Sequence, residues 1–390
     1  MKPSKHILPV IVLSQFCCTS LWFAGNGVMR DLVATFGLSE SAVGHLTSAV
    51  QFGFILGTLV FAMLSIADRF SPSKVFFGCA VLGALFNLGV VWDGNGLASI
   101  LSFRFLTGFF LAGIYPVGMK IAADYYEKGL GKSLGYLVGA LVVGTAFPHL
   151  LKEMTHTLPW NTVLVSTSGL AVLGGSLMIA LVPNGPYRKR SQQLQLSAFV
   201  QVFQNRNFRS AAFGYFGHMW ELYTFWAFVP IMLQIYALAH PNTHFPIPLL
   251  SFVIIAVGGL ACVLGGYLSQ VAGTKRVASI ALLLSGVCCL ISPLLFMQGS
   301  TTLFIAFLLF WGMVVIADSP LFSTLVAQNA SAEIKGTALT IVNCIGFAIT
   351  IVSIQLVNEV RIWTGSNMVY MVLSIGPILG LIALASKKRG

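Results

Sequence analysis

Glu221 and Asp318 lie inside long apolar runs, where an ionised carboxyl is costly unless paired or protonated. Glu221 has His218 one turn earlier on an adjacent face. That placement fits a carboxyl that takes up and releases a proton, burial making its neutral form accessible; it equally fits a carboxylate fixed by His218 or by a serine of a neighbouring helix. Asp318 precedes Ser319 and Pro320, so it either binds or couples, or repairs the backbone break that a membrane proline opens. Trp311, seven residues earlier, falls on the same helical face.

Arg104 cannot lose its proton. It therefore needs either an anionic ligand or an internal partner, with Glu221 and Asp318 as the carboxylates available at comparable depth. Arg104, Gly108, Leu111 and Tyr115 form one helical stripe, with Gly108 permitting close approach. Gln15, Thr19, Trp22 and Asn26 form a second, polar stripe, suited to hydrogen bonding with a solute or with another helix. The expected substrate-binding set is thus Gln15, Trp22, Asn26, Arg104, Tyr115 and Trp311, and the proton-coupling set is Glu221, Asp318 and His218. His45, His149, His156, His240 and His244 are read as lying at outer edges or in loops without ligand spacing, and no role is assigned to them.

Other chemistries fail on spacing. GLGKS at 129–133 resembles a phosphate-binding loop, but the glycine needed five positions before Gly131 is Tyr126. HExxH, GxSxG and a GxGxxG in strand context are absent. The seven cysteines all sit in apolar runs with neither a disulfide framework nor CxxC spacing. Neither a metal nor a cofactor is expected, and without a nucleotide site an ATP-driven pump is not expected either.

The elements that must carry these groups follow from composition. The 390 residues are 57% hydrophobic and 8% charged, with 30 phenylalanines, against about 25% charged in a soluble domain. Such a chain could not cover a water-facing surface, so the reading is an integral all-α membrane protein. Twelve long runs qualify as spans: 7–29, 42–64, 74–92, 98–120, 131–151, 161–182, 209–235, 249–271, 276–297, 302–325, 337–357 and 367–386. The apolar start is read as the first span rather than a signal peptide, since it is too long and lacks a convincing cleavage site. The formal charge of +11 points to sidedness rather than to nucleic acid. Of the 22 Lys and Arg residues, only Arg30, Lys152 and Arg361 fall on one side, and Arg104 falls within a span. All others share the side of the termini, which places both termini in the cytoplasm of a cytoplasmic (inner) membrane protein. The basic, polar segment 183–208 is read as a cytoplasmic linker between six-helix domains 1–182 and 209–390.

The halves also repeat. LSIADRFSPSK (Leu64 to Lys74) matches GYLSQVAGTKR (Gly266 to Arg276) at an offset of 202 residues, while Gly108 and Pro116 match Gly312 and Pro320 at 204. Such duplication is a transporter signature.

Ile66, Ala67, Asp68, Arg69 and Lys74 keep the sense of a G-x-L-A-D-R-x-G-R-R loop, though Leu64, Ser71 and Pro72 depart from it. The second copy keeps Gly266, Leu268, Gly273, Lys275 and Arg276, with Gln270 in place of the acid. Arg104 and Gly108 match R-x-x-x-G, and DYYEKGLGKSLG matches the connection after the fourth helix. With these motifs the chain resembles the major facilitator superfamily over its whole length. The resemblance implies two pseudo-symmetric six-helix domains. It also implies a central cavity lined by helices one, four, seven and ten, and a conformational latch at Asp68 and Arg69.

The expected function is secondary active transport of a small polar or anionic organic solute by alternating access, coupled to H⁺, in a monomer surrounded by lipid. Proton-driven efflux of amphipathic compounds is the alternative, because Trp22, Trp220, Trp226 and Trp311 offer aromatic walls. The fifth span, GYLVGALVVGTAFPHLL, lacks the G-x-x-x-G-P pattern of drug antiporters in the family. A membrane enzyme would need acid, base and nucleophile clustered at one interface, whereas the buried groups here are spread over four helices. A sensor on the same scaffold is a further reading.

Overall fold

A run of about 20 apolar residues can satisfy its backbone inside a bilayer by closing its hydrogen bonds within a helix. The computed structural model, which describes residues 6–39, 41–126, 130–188, 202–331 and 334–385, carries helix over all twelve expected runs. Among the described residues eleven helices are long and apolar enough to cross a membrane, and Ile7–Thr19 is a shorter apolar helix. Much of the basic complement used for sidedness, including Lys2, Lys5, Lys128, Lys189, Arg190, Lys387, Lys388 and Arg389, lies outside the described residues, as do linker residues 189–201.

Three spans are interrupted. The first runs Ile7–Thr19, breaks over residues 20–23, and resumes as Ala24–Gly27 and Met29–Phe36. The fourth is Leu97–Leu111 followed by Tyr115–Tyr125. The tenth is Thr301–Ala317 followed by Ser319–Asn329. The second, third, fifth and sixth spans are Ala42–Met63, Pro72–Gly89, Leu130–Met154 and Asn161–Leu181. The seventh to ninth are Arg206–Ala239, Ile247–Ala272 and Thr274–Phe296. The eleventh is Lys335–Thr364, and the twelfth enters as a 3-10 helix, Asn367–Ser374, before Ile375–Ala385. Several ends move from the sequence reading, two of them for clear local reasons. Asn205 accepts from the Asn207 and Phe208 N–H groups and starts the seventh span at Arg206. The eleventh span carries Glu359 and Arg361 in its last turns and stops where Gly365 turns left-handed at φ 62°.

The chain divides into two compact units, Met1–Gln193 with Pro248–Phe252, and Leu194–Ile247 with Val253–Gly390. In the first unit the second span packs on the fourth, and the first on the fifth and sixth; in the second, the seventh packs on the eleventh and twelfth, and the ninth on the tenth.

The internal repeat reaches down to single atoms. A Cβ on Gly108 would stand 2.1 Å from Val50 O, and one on Gly312 would stand 2.0 Å from Ile254 O. Both partners, like both glycines, are separated by 204 residues, so the same backbone-to-backbone approach is built twice. The same offset carries Tyr115–Tyr125 onto Ser319–Asn329, each with proline in its first turn. Proline there lacks only an N–H that has no intrahelical partner anyway. Asp318 then takes the position that Ile114 holds in the first unit, so one copy of the break carries a carboxyl.

Candidate functional site

Glu221 lies near the middle of the seventh span and is 1% exposed. Trp311 Nε1 of the tenth span donates to its Oε1 at 2.6 Å. The Ser285 hydroxyl and Cys289 thiol of the ninth span lie beside this carboxyl. Ser285 Oγ also lies 3.1 Å from Leu282 O, so its rotatable hydroxyl can turn toward either oxygen. The carboxyl therefore meets a fixed donor in Trp311 Nε1 and a rotatable hydroxyl that can donate to the anion or accept from the acid. Trp311, expected to contact solute, thus bonds to Glu221.

His218, one turn before Glu221, turns to the other acid. Its Nδ1 lies 2.8 Å from Asp318 Oδ1, with both side chains 1% exposed. His218 Nε2 has no hydrogen-bond partner among the described residues. Asp318 occupies the break itself, where its carbonyl accepts from Phe322 N at 2.8 Å. The two carboxyls are thus served by separate groups: an indole N–H, a hydroxyl and a thiol for Glu221, an imidazole for Asp318.

The first unit treats its buried charge differently. Arg104 is 1% exposed. Its Nη2 donates to Trp22 O at 2.6 Å and Leu21 O at 3.2 Å, and its Nη1 to Asn87 Oδ1 at 3.0 Å. The two carbonyls belong to the break in the first span, where the helix ladder has ended at Thr19. Gly25 makes room, since a Cβ there would stand 3.2 Å from Arg104 Nε. Asn87 is fixed in turn by donating to Leu164 O, Thr167 Oγ1 and Ser168 Oγ on the sixth span. Arg104 and Trp22 are therefore brought together, through the backbone of the latter.

Asn26 donates to Thr47 Oγ1 on the second span at 2.9 Å. Gln15 is fully buried, and neither of its amide atoms has a partner among the described residues. Tyr115 is half-buried and opens the second half of the fourth span. His149 departs from the sequence reading: it is buried inside the fifth span, with Nε2 unpartnered among the described residues. Its place one residue after Pro148 and close to Lys152 gave it the look of a span end.

Asp68 and Arg69 sit on a short helix, Ile66–Arg69, between the second and third spans. Asp68 Oδ1 is 2.9 Å from Lys120 Nζ, which also lies 3.8 Å from Asp124. Arg188 Nη2 donates to the carbonyls of Asp68 and Phe70, and Ser71 Oγ donates to Asn184. The chain after the sixth span is thus tied to the Asp68 loop, while Arg69 is exposed. Lys120 and Arg188 could have been found from sequence only as nearby charges.

Comparison with known proteins places this architecture. The family model of the Major Facilitator Superfamily matches residues 11–354, and the chain belongs to that superfamily. It is an integral membrane protein of a transporter family. Among curated relatives, it is 29% identical over 140 residues to "Efflux pump FUB11" of Gibberella moniliformis, covering 35% of this chain and 23% of that protein. It is 24% identical over 222 residues to "Uncharacterized transporter YgaY" of Escherichia coli O157:H7, covering 54% and 55% of the two chains. The matches thus span about a quarter and about half of these relatives' lengths. Among solved structures, the MFS proton:xylose symporter XylE bound to 6-bromo-6-deoxy-D-glucose aligns with TM-score 0.74 at 14% identity, over 96% of this chain and 94% of that one. This similarity carries the fold.

Proposed function

We propose that the protein is a proton-coupled secondary transporter that moves a small polar organic solute by alternating access. Its two domains are residues 1–182 and 209–390, joined by the linker 183–208, and it lies in the cytoplasmic membrane as a monomer with both termini in the cytoplasm. The observation that carries the reading is the environment of Glu221: buried in the seventh span, with Trp311 Nε1 donating to its carboxyl and the rotatable Ser285 hydroxyl beside it, able to donate to the anion or to accept a hydrogen bond from the acid. A group served in both states can exchange a proton without rebuilding its surroundings. Asp318 and His218, 2.8 Å apart and both buried, form an acid–imidazole pair in the same unit. In this reading Trp311 positions Glu221, Arg104 holds the broken first span, and Gln15, Trp22 and Asn26 face the solute. Asp68 with Lys120 latches one state of the cycle.

Efflux of amphipathic compounds is the second reading, favoured by the match to a fungal efflux pump. A thermal-shift screen of metabolites and amphipathic cations on the purified protein would find a ligand, and vesicle flux of that ligand would follow. Flux that rises with an imposed pH gradient supports the proposal. Flux indifferent to the gradient and to uncouplers refutes the coupling, and movement of the ligand against the proton flow favours efflux.

A further inference from the structure

Groups that the proton-carrying residues do not use are gathered around the broken first span. Gln51 of the second span is fully buried with both amide atoms unpartnered among the described residues. It lies one turn after Thr47, which accepts from Asn26, and three residues before Phe54, whose ring centroid is 4.8 Å from that of Trp22. It therefore faces the first span between Trp22 and Asn26. The fifth span flanks the same segment: a Cβ on Gly144 would meet Thr19 Oγ1, and one on Gly27 would meet Pro148. Thr145 and His149, each next to one of these contacts, are buried with Thr145 Oγ1 and His149 Nε2 unpartnered among the described residues. Gln15, one turn before Thr19, adds a further unpartnered amide. Native proteins seldom leave buried amides and hydroxyls without a partner, so several around one segment mark a place where something polar binds.

The charge of that ligand follows from what is missing. Arg104 is the one Lys or Arg among the buried described residues, and its hydrogen bonds end on Leu21 O, Trp22 O and Asn87. A carboxylate or phosphate beside Gln51 and Thr145 would find amides and hydroxyls but no free permanent cation, and a buried anion so placed is strongly disfavoured. Amides and hydroxyls, each donor and acceptor at once, match adjacent hydroxyl groups, and Trp22 adds an aromatic wall. We infer that the first unit binds an uncharged, hydroxyl-rich solute of sugar size, through Gln51, Thr145 and Gln15. The inference rests on the transporter reading but not on proton coupling.

Thermal-shift and binding measurements on the purified full-length protein, with no pH gradient, test it. The probes are D-xylose, D-galactose and D-mannitol, each aldose set against its aldonate (D-xylonate, D-galactonate). At least one neutral probe should raise the melting temperature and neither aldonate should. Gln51→Leu and Thr145→Val should each weaken that binding at least tenfold. Because each variant removes an unpaired buried polar group, the unliganded protein should melt at the wild-type temperature or above. Stabilisation by an aldonate, including one that appears only where His149 is protonated, would overturn the inference. So would the failure of every neutral probe, or full affinity in both variants. Loss of gradient-driven flux with neutral-probe binding intact would sink the proton reading alone.

Discussion

Arg104→Lys separates a structural arginine from a substrate-binding one. The guanidinium serves three acceptors from two nitrogens, Trp22 O at 2.6 Å, Asn87 Oδ1 at 3.0 Å and Leu21 O at 3.2 Å. A lysine ammonium is a compact point donor on a shorter reach, and holds one of the three in place. Each lost hydrogen bond to a charged group is worth about 1.5–3 kcal/mol, so two lost bonds cost about 3–6 kcal/mol before any repacking or water entry. That is a large share of a typical folding stability of about 5–15 kcal/mol. The purified variant should therefore melt several degrees below the wild type, while the affinity for a solute that still binds changes less than about threefold, or under about 0.7 kcal/mol. Asn87→Ala should lower the melting temperature in the same way, because it removes the acceptor for Arg104 Nη1 and the Nδ2 donor to Leu164 O, Thr167 Oγ1 and Ser168 Oγ. An Arg104→Lys protein with wild-type melting and no solute binding would refute the reasoning and put Arg104 in the binding site.

Asp68→Asn removes the charge that faces Lys120 at 2.9 Å, and should slow vesicle transport while leaving solute affinity within about tenfold, since a shift of state population changes occupancy more than contacts; outright loss of binding in a folded protein would contradict this. Ser65, at φ 50°, adopts the left-handed conformation just before the Asp68 helix, and Ser65→Gly should stabilise by about 1 kcal/mol, read as a rise in melting temperature. Gly312→Ala would set a Cβ 2.0 Å from the Ile254 carbonyl, forcing the eighth and tenth spans apart, so yield and melting temperature should both drop; a variant with wild-type melting would show that the repeated contact has slack.

The spans were legible because the bilayer fixes how long an apolar run must be, and the repeat because Gly108 and Gly312 each face a backbone carbonyl that tolerates no side chain. Pro320 signposted the break in the tenth span, and its repeat partner Pro116 stands at the corresponding break in the fourth. The break at 20–23 had no such mark: Ser20, Leu21, Trp22 and Phe23 are all compatible with helix, and the stop is held by Arg104, more than eighty residues away. For the same reason the partners of Arg104 were illegible, since backbone carbonyls leave no trace in residue type. The acidic residues stood out because charge at membrane depth is rare, yet their pairing depended on how helices pack. His218 precedes Glu221 by one turn but meets Asp318, while Glu221 reaches Trp311, 90 residues along the chain.

The central claim is that Glu221 carries the coupled proton, and Glu221→Gln tests it most directly. Glutamine keeps an oxygen for Trp311 Nε1 and offers an amide to Ser285 Oγ, so the fold and the solute site stay intact while the titrating proton is removed. In proteoliposomes this variant should lose uptake driven by an imposed pH gradient yet keep exchange of labelled for unlabelled solute at equal concentrations, which needs no net proton movement. Gradient-driven uptake at the wild-type rate in Glu221→Gln would contradict the account.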